Sequence, residues 1–190
     1  ELVPNGTDDV VFMAGQTLKE WTLLGEDEAV DPIAGTQLFS SATYQSEHGA
    51  MIVRLWFLSL FACLRAKPAL VFTGRFRSGK SRAAEGISEI LGVKHRCAAI
   101  QEKGEEDFWV SVDAGGIVCF DNVDSKNSWF GDAMQLACTK GSREKRKLYG
   151  DTLRTFEANA AQMLTSNNAL FASESGLTDR CQICRLQARE

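Results

Sequence analysis

Short apolar runs separated by polar, glycine-containing segments recur along the chain from residue 69 onward. Runs of about five apolar residues have the length of buried strands, and the longer stretches between them place apolar residues at helical spacing. Strands that alternate with helices in this way indicate a parallel, doubly wound α/β sheet. We predict strands at 69–73, 96–100, 116–120, 160–165 and 180–186, and helices at 50–64, 81–91, 105–112 and 129–138.

The first 48 residues are more polar and contain only short strand-like pieces, such as residues 10–14 and 20–24. We therefore expect a small β-rich lead-in at 1–48, followed by the α/β core at 49–190. Residues 1–50 have a net charge of −8, whereas residues 51–190 have a net charge of +4. A basic core is compatible with nucleic-acid contact, although the overall charge of −4 does not require it.

The cysteines and the apolar runs indicate the compartment. Six cysteines are scattered, mostly inside apolar runs, which is typical of buried thiols in a reducing environment, so we expect a cytoplasmic protein. Cys181 and Cys184 form a C-x-x-C without a second pair or a nearby histidine, and this pattern favours alternating positions of a terminal strand over a zinc or redox site. The longest apolar run, 51–63, is interrupted by Arg54 and is too short to span a bilayer, so we expect no membrane partner.

The segment between the first predicted strand and its helix has the sequence GRFRSGKS and matches G-x-x-x-x-G-K-[ST]. Glycines let such a loop wrap so that backbone N–H groups and the helix N-terminus face an anion. Lys80 would reach the β- and γ-phosphates of ATP, and the Ser81 hydroxyl would bind Mg²⁺. The alternative is a glycine-rich turn that contains a lysine by chance. The pattern predicts a nucleotide site formed by Gly74, Arg75, Phe76, Arg77, Ser78, Gly79, Lys80, Ser81 and Arg82.

The strand predicted at 116–120 is followed directly by Asp121. A carboxylate at the end of a buried strand can supply the second protein ligand of the magnesium ion. The spacing from Lys80 leaves room for one intervening strand and helix. A helix N-cap is the alternative role for an aspartate in this position. Together with the phosphate loop, the pattern favours Ser81 and Asp121 as the two metal ligands.

Residues 50–190 resemble the core of an AAA+ ATPase, and most of all the superfamily 3 and minichromosome-maintenance-like helicases that replicate viruses and mobile elements. The resemblance rests on four motifs in the AAA+ order: residues 74–81, Asp121 to Asp124, Leu164 to Asn168, and the pair Asp179-Arg180. It implies a P-loop NTPase fold, AAA+-like, with a parallel five-stranded sheet flanked by helices. The helical lid of such ATPases is expected to lie outside this chain.

The resemblance also implies catalytic roles for Lys80 and Asp121 and for residues of the later motifs. Asn167 resembles the polar sensor that orients the attacking water, and Arg180 resembles the arginine finger that reaches a neighbouring subunit's site. A plain turn and a surface arginine are the alternatives. Asn122 stands where the family usually has a glutamate base, and an asparagine side chain cannot accept the proton of water. Either Asp124 takes that role or hydrolysis is slow.

The segment between the fourth helix and the fourth strand is basic. In the family this slot holds a β-hairpin that grips DNA in the central channel of a hexamer. Lysine and arginine neutralise phosphates, and a tyrosine can stack on a base. A solvated basic loop is the alternative. The DNA contacts that the resemblance implies are Arg143, Lys145, Arg146, Lys147, Tyr149 and Arg154.

Two classes of function therefore stay open. The first is an ATP-driven helicase or translocase that acts in replication on single-stranded or forked DNA, as a homo-oligomer that we expect to be a hexamer. The second is a P-loop ATPase that remodels a protein partner or acts as a nucleotide switch in signalling or defence. A small-molecule kinase fits less well, because no acceptor-binding lid of the usual length is evident.

Overall fold

The computed structural model describes residues 42–62, 64–123, 127–146, 152–168 and 175–188. Its helices are α1 (Gly49–Ser59), α2 (Lys80–Ile90), α3 (Glu105–Asp113), α4 (Phe130–Cys138) and α5 (Ser175–Thr178). Its strands are β1 (Ala69–Thr73), β2 (Cys97–Ala99), β3 (Ile117–Asp121), β4 (Ser142–Arg146), β5 (Leu153–Glu157), β6 (Ala161–Ser166) and β7 (Cys181–Arg185). Apart from the end of α1, the predicted core elements agree with the observed bounds to within one residue.

Five strands form one parallel sheet in the order β2-β3-β6-β1-β7, which confirms the predicted α/β class. All residues of β1 and β6 are buried, as expected for central strands covered on both faces. The chain leaves β1 for the far edge at β2 and returns through β3 to β6. The order of connection therefore reverses beside β1, and such a reversal opens a crevice at the carboxyl ends of the strands.

The sheet separates two hydrophobic cores. On one face, α1 and α2 contribute Trp56 and Ile87, which pack with strand residues such as Phe72. On the other face, α3 and α4 contribute Phe108 and Phe130 to an aromatic cluster with Phe120. Burial of both faces holds the strands in one register and fixes where each strand ends.

Helix α1 was predicted to continue to residue 64, and it ends at Ser59 instead. The amides of Leu60, Phe61 and Ala62 each bond a carbonyl three residues back, at 3.2 Å, so the helix tightens into a final turn. The Ser59 hydroxyl also donates to the Trp56 carbonyl at 2.6 Å. Such local side-chain bonds compete with the helical pattern.

Strands β4 and β5 form a separate antiparallel hairpin, as the family resemblance implied for this segment. Its base is tied to the starting ends of the core strands, because the Ala160 amide donates to the Val112 carbonyl and the Ala161 amide to the Gly116 carbonyl, both at 2.8 Å. The hairpin therefore lies at the opposite end of the sheet from the carboxyl ends of β1 and β3. The turn predicted at residues 150–151 lies outside the described residues.

Of the β-rich lead-in predicted at 1–48, the structure describes only the last residues. Tyr44 forms an antiparallel bridge with Leu186, and the Gln45 amide donates to the Arg185 carbonyl at 2.9 Å. This segment therefore continues the sheet beside the end of β7. No helix in the described ranges is long and apolar enough to cross a membrane.

Candidate functional site

The loop between β1 and α2 needs glycine at both of its ends. Gly79 has φ +83°, and a Cβ added at Gly74 would lie 2.4 Å from the Leu186 carbonyl oxygen. Helix α2 begins directly after Gly79, whose carbonyl accepts the Ala83 amide at 2.9 Å. The amides of the first turn have no acceptor within the helix, so they can donate to an anion at the end of the loop.

The Lys80 ammonium group lies across this loop. Its Nζ donates to the carbonyls of Gly74 at 2.9 Å and Arg75 at 3.0 Å, and to Oδ1 of Asn167 at 3.2 Å. Asn167 directly follows β6, whose neighbours in the sheet are β1 and β3. The structure therefore brings together the lysine of the loop and the asparagine that was predicted to act as a sensor.

The two predicted metal ligands also meet. The Ser81 hydroxyl donates to Oδ1 of Asp121 at 2.9 Å. Two neighbouring ligands of an octahedral magnesium ion, each about 2.05 Å from the metal, would lie about 2.9 Å apart. The spacing and the oxygen chemistry of this pair therefore fit Mg²⁺.

Thr165 is a member of the site that sequence reasoning did not single out. It is 1% exposed, its hydroxyl donates to Oδ1 of Asp121, and its Oγ1 accepts the Asn122 amide at 2.9 Å. The sequence signal for it was weak, because a threonine in an apolar run is also an ordinary strand residue. Thr165 holds the carboxylate and the residue after it in one arrangement.

Asn122 and Asn167 face each other beside the two predicted metal ligands. Nδ2 of Asn167 donates to Oδ1 of Asn122 at 3.0 Å, and Asn122 has the left-handed backbone angle φ 54°. Asparagine is among the few residues that tolerate this conformation. Two carboxamides can orient a water molecule but cannot accept its proton. Asp124, the predicted alternative base, lies outside the described residues.

One buried hydroxyl lies just before the loop and another lies within it. The Oγ1 atom of Thr73 and the Oγ atom of Ser78 have no hydrogen-bond partner in the described part of the chain. Buried polar groups are normally paired, and hydroxyls of this kind can donate to a bound anion. Together with the loop amides and Lys80, they fit a phosphate group.

The other predicted loop residues present their side chains to solvent. Phe76 is 80% exposed, the Arg77 guanidinium lies 5.9 Å from the Phe76 ring centroid, and Arg75 is also exposed. The Arg82 side chain pairs with Glu85 at 2.7 Å. None of these four side chains is buried in the described arrangement.

Arg180 does not join this site within the chain. It precedes β7, and the Ala69 amide at the start of β1 donates to its carbonyl at 3.0 Å. Its guanidinium donates to the Gly176 carbonyl. Because β1 and β7 are parallel, Arg180 lies at the end of the sheet opposite the loop, and its role toward a neighbouring subunit stays a prediction.

The basic hairpin is partly neutralised by α3. Arg143 and Lys145 form ion pairs with Glu105 and Glu106. The Arg154 guanidinium lies 4.4 Å from the Phe156 ring centroid, a cation–π distance. Among the described basic residues of the hairpin, Arg146 on β4 and Arg154 on β5 are exposed. Lys147 and Tyr149 lie outside the described residues, so their predicted DNA contacts stay untested.

Cys181 and Cys184 do not converge, as expected for alternating strand positions. Cys181 packs against the core that contains Phe108, whereas Cys184 belongs to the core that contains Phe72. Burial raises the pKa of each thiol to about 12, so both are protonated at neutral pH. The C-x-x-C therefore forms neither a metal site nor a redox pair.

Solved structures with a similar fold include those of JCV helicase. A structure of JCV helicase bound to a thiazolopyridine acetamide compound matches 83% of this chain at 12% identity with a TM-score of 0.51. Another JCV helicase structure matches 84% of the chain at 15% identity with a TM-score of 0.48. The chain spans 44% and 43% of these two structures. No protein-family model matches the chain, and no curated protein matches it. The chain has a helicase-like α/β fold.

Proposed function

We propose that the chain is the nucleotide-binding module of an AAA+ motor that hydrolyses ATP, and that it serves as a DNA helicase or translocase in the replication of a virus or mobile element. One observation carries the proposal. Lys80 and Ser81 belong to the loop motif, whereas Asp121 and Asn167 belong to two later motifs. Lys80 bonds Asn167 and Ser81 bonds Asp121 at the carboxyl ends of neighbouring strands. Ligands of open α/β sheets bind at this edge.

Each side chain of the site has a role in this proposal. The loop amides and Lys80 bind the β- and γ-phosphates, while Ser81 and Asp121 hold Mg²⁺. When bound, Mg²⁺ neutralises charge on the phosphate oxygens. Asn167 and Asn122 orient the attacking water through their carboxamides, and Asp124 is the candidate acceptor of its proton.

We propose a ring of subunits, and two features of the chain support this arrangement. Arg180 lies too far from its own loop to act there, but a neighbouring subunit could receive it. Helix α1 also exposes an apolar row of Met51, Leu55 and Leu58, which are 59%, 55% and 54% exposed. Exposed apolar patches of this kind commonly mark interfaces.

The nucleotide site is tested by Lys80→Ala, with Lys94→Ala as the matched control. Lys94 is an exposed lysine beyond the end of α2. The first change removes the cation at the phosphates and should lower hydrolysis by at least about 10²-fold. The control should hydrolyse ATP normally. Unchanged turnover in Lys80→Ala would overturn the site assignment.

A protein-remodelling ATPase is the second candidate, and the ion pairs of the hairpin favour it. Arg143 and Lys145 are already paired with α3, so less positive charge is available for a phosphate backbone. A helicase should hydrolyse ATP faster with single-stranded DNA, and Arg146→Glu should remove this stimulation, because phosphate contacts supply much of the affinity. A remodelling ATPase should hydrolyse ATP at the same rate with and without DNA, both in the wild type and in Arg146→Glu.

A further inference from the structure

A second cluster of reactive side chains lies away from the phosphate loop, at the edge of the sheet. One potential metal-ligand atom from each of His95, Cys97 and Cys119 lies within 4.8 Å of the other two. Cys97 on β2 is the direct register partner of Cys119 on β3, so the two thiols project from the same face. His95 precedes β2 in the connection from α2. Cysteine thiolates and imidazole are the preferred ligands of zinc.

The histidine is oriented by a buried hydroxyl. Ser88 is 1% exposed, its Oγ donates to the Ala84 carbonyl at 3.3 Å, and it lies 3.1 Å from Nδ1 of His95. A serine hydroxyl has one proton, so Oγ accepts the proton on Nδ1 when its own is donated to Ala84. The Nε2 lone pair is then left for a metal. This indirect support is typical of metal-binding histidines.

We propose that His95, Cys97 and Cys119 bind a zinc ion, with the fourth coordination position open to solvent. Zinc bound to sulphur at about 2.3 Å and to nitrogen at about 2.0 Å places its donors about 3.5 to 3.8 Å apart. The observed ligand atoms lie within 4.8 Å of one another, so movements of about 1 Å bring them to that spacing. Cys119 is buried and Cys97 is exposed, so the site opens to solvent on the Cys97 side.

A zinc ion at this site would stabilise β2 at the edge of the sheet. Strand β2 has only three residues, and among the described strands it pairs with β3 alone. A zinc ion would join β2, β3 and the connection after α2 through three side chains. Cys119 precedes Asp121 by two residues on β3, so the same ion would fix the strand that carries the proposed magnesium ligand.

The test is metal binding to the full chain, purified under reducing conditions. Zinc content by mass spectrometry should be one ion per chain. Co²⁺ should give the intense thiolate-to-metal absorption of a cysteine-bound site. His95→Gln and Cys97→Ser should each weaken Zn²⁺ binding by at least about 100-fold, and Ser88→Ala by about 10- to 100-fold. Cys181→Ser is the matched control, because its thiol lies in the other core, and it should bind like the wild type.

Three results would overturn the proposal. The first is a reduced, folded chain that binds no Zn²⁺ and gives no Co²⁺ thiolate band. The second is equal affinity in the wild type and in Cys97→Ser. The third is a disulfide between Cys97 and Cys119 that forms in air, combined with no metal binding once the disulfide is reduced. Circular dichroism of each variant confirms that it is folded before metal is added.

Discussion

Thr165→Val tests whether the hydroxyl beside Asp121 organises the proposed magnesium site. Valine has nearly the same shape, so packing in β6 is kept while both polar contacts are lost. The change removes a donor to Asp121 and the acceptor of the Asn122 amide. A hydrogen bond to a charged group is worth about 1.5–3 kcal/mol, and an unsatisfied amide costs about 1–3 kcal/mol.

The expected effect on stability is at the lower end of these ranges, because Asn122 is exposed and water can replace part of what is lost. We expect the free energy of unfolding to fall by about 1–2 kcal/mol. The affinity for Mg²⁺ should fall more strongly, since removing a group that orients a metal ligand costs about 10- to 100-fold in metal affinity. Thr165→Ser is the matched control: it keeps the hydroxyl and loses one buried methyl group, which costs about 0.8 kcal/mol.

The assay is a Mg²⁺ titration of nucleotide binding, measured with a fluorescent ATP analogue, beside urea unfolding followed by tryptophan fluorescence. Both variants should be less stable than the wild type, Thr165→Val by the larger amount, but only Thr165→Val should need about 10- to 100-fold more Mg²⁺. If both variants respond to Mg²⁺ like the wild type, the hydroxyl does not organise the metal ligands and the reasoning is wrong.

Three further predictions concern the catalytic base, the proposed arginine finger and the proposed subunit interface on α1. Asp124→Asn should lower kcat by about 10² or more with nucleotide affinity kept, whereas Asn122→Glu should raise turnover if the natural site is tuned toward slow hydrolysis; both are measured by steady-state hydrolysis. Arg180→Ala should keep nucleotide binding and lower hydrolysis by about 10³, and mixing it with Lys80→Ala protein should restore some activity at mixed interfaces. Leu55→Glu should reduce the assembled fraction in size measurements by light scattering, because a charge would be buried at the interface.

Each of these predictions has its own contrary result. No effect from either change at Asn122 or Asp124 would place the base elsewhere. Hydrolysis that does not depend on protein concentration, without rescue on mixing, would mean that the site works in one chain. Leu136→Glu is the control for the interface, since Leu136 is 41% exposed on α4. Equal assembly of Leu55→Glu and this control would exclude α1 from the interface.

The sequence predicted the core elements well because apolar runs, glycine and proline mark them directly. The strand at 69–73 follows Pro68 and ends before Gly74, and both bounds agree with the structure. The predicted end of α1 was wrong because residues 60–64 are apolar and continue the pattern of the helix before them. Nothing in that pattern shows that Ser59 bonds its own helix and that the next amides form a tighter turn.

The site was predictable in its motifs and not in its contacts. The loop and Asp121 have local signatures, whereas the role of Thr165 depends on how β6 pairs with β3, which fixes what the hydroxyl faces. The ion pair between Arg143 and Glu105 joins residues that are distant in the sequence. The cluster around His95 likewise forms only when β2 pairs with β3. Contacts of this kind depend on the register in which the strands pair, and this register cannot be predicted from a single sequence.

Strand β6 has a consequence for how the two ends of the domain unfold. It is buried along its whole length and bonded on both sides, to β1 and to β3. Six residues span about 20 Å, from just after the hairpin to the asparagine beside Lys80. Its amides should therefore exchange with deuterium only through global unfolding, whereas those of β2 at the edge exchange through local opening. The basic hairpin and the phosphate loop are thus anchored to one cooperative unit. A substitution that destabilises β6 should therefore lower the free energy of unfolding of both ends of the domain together.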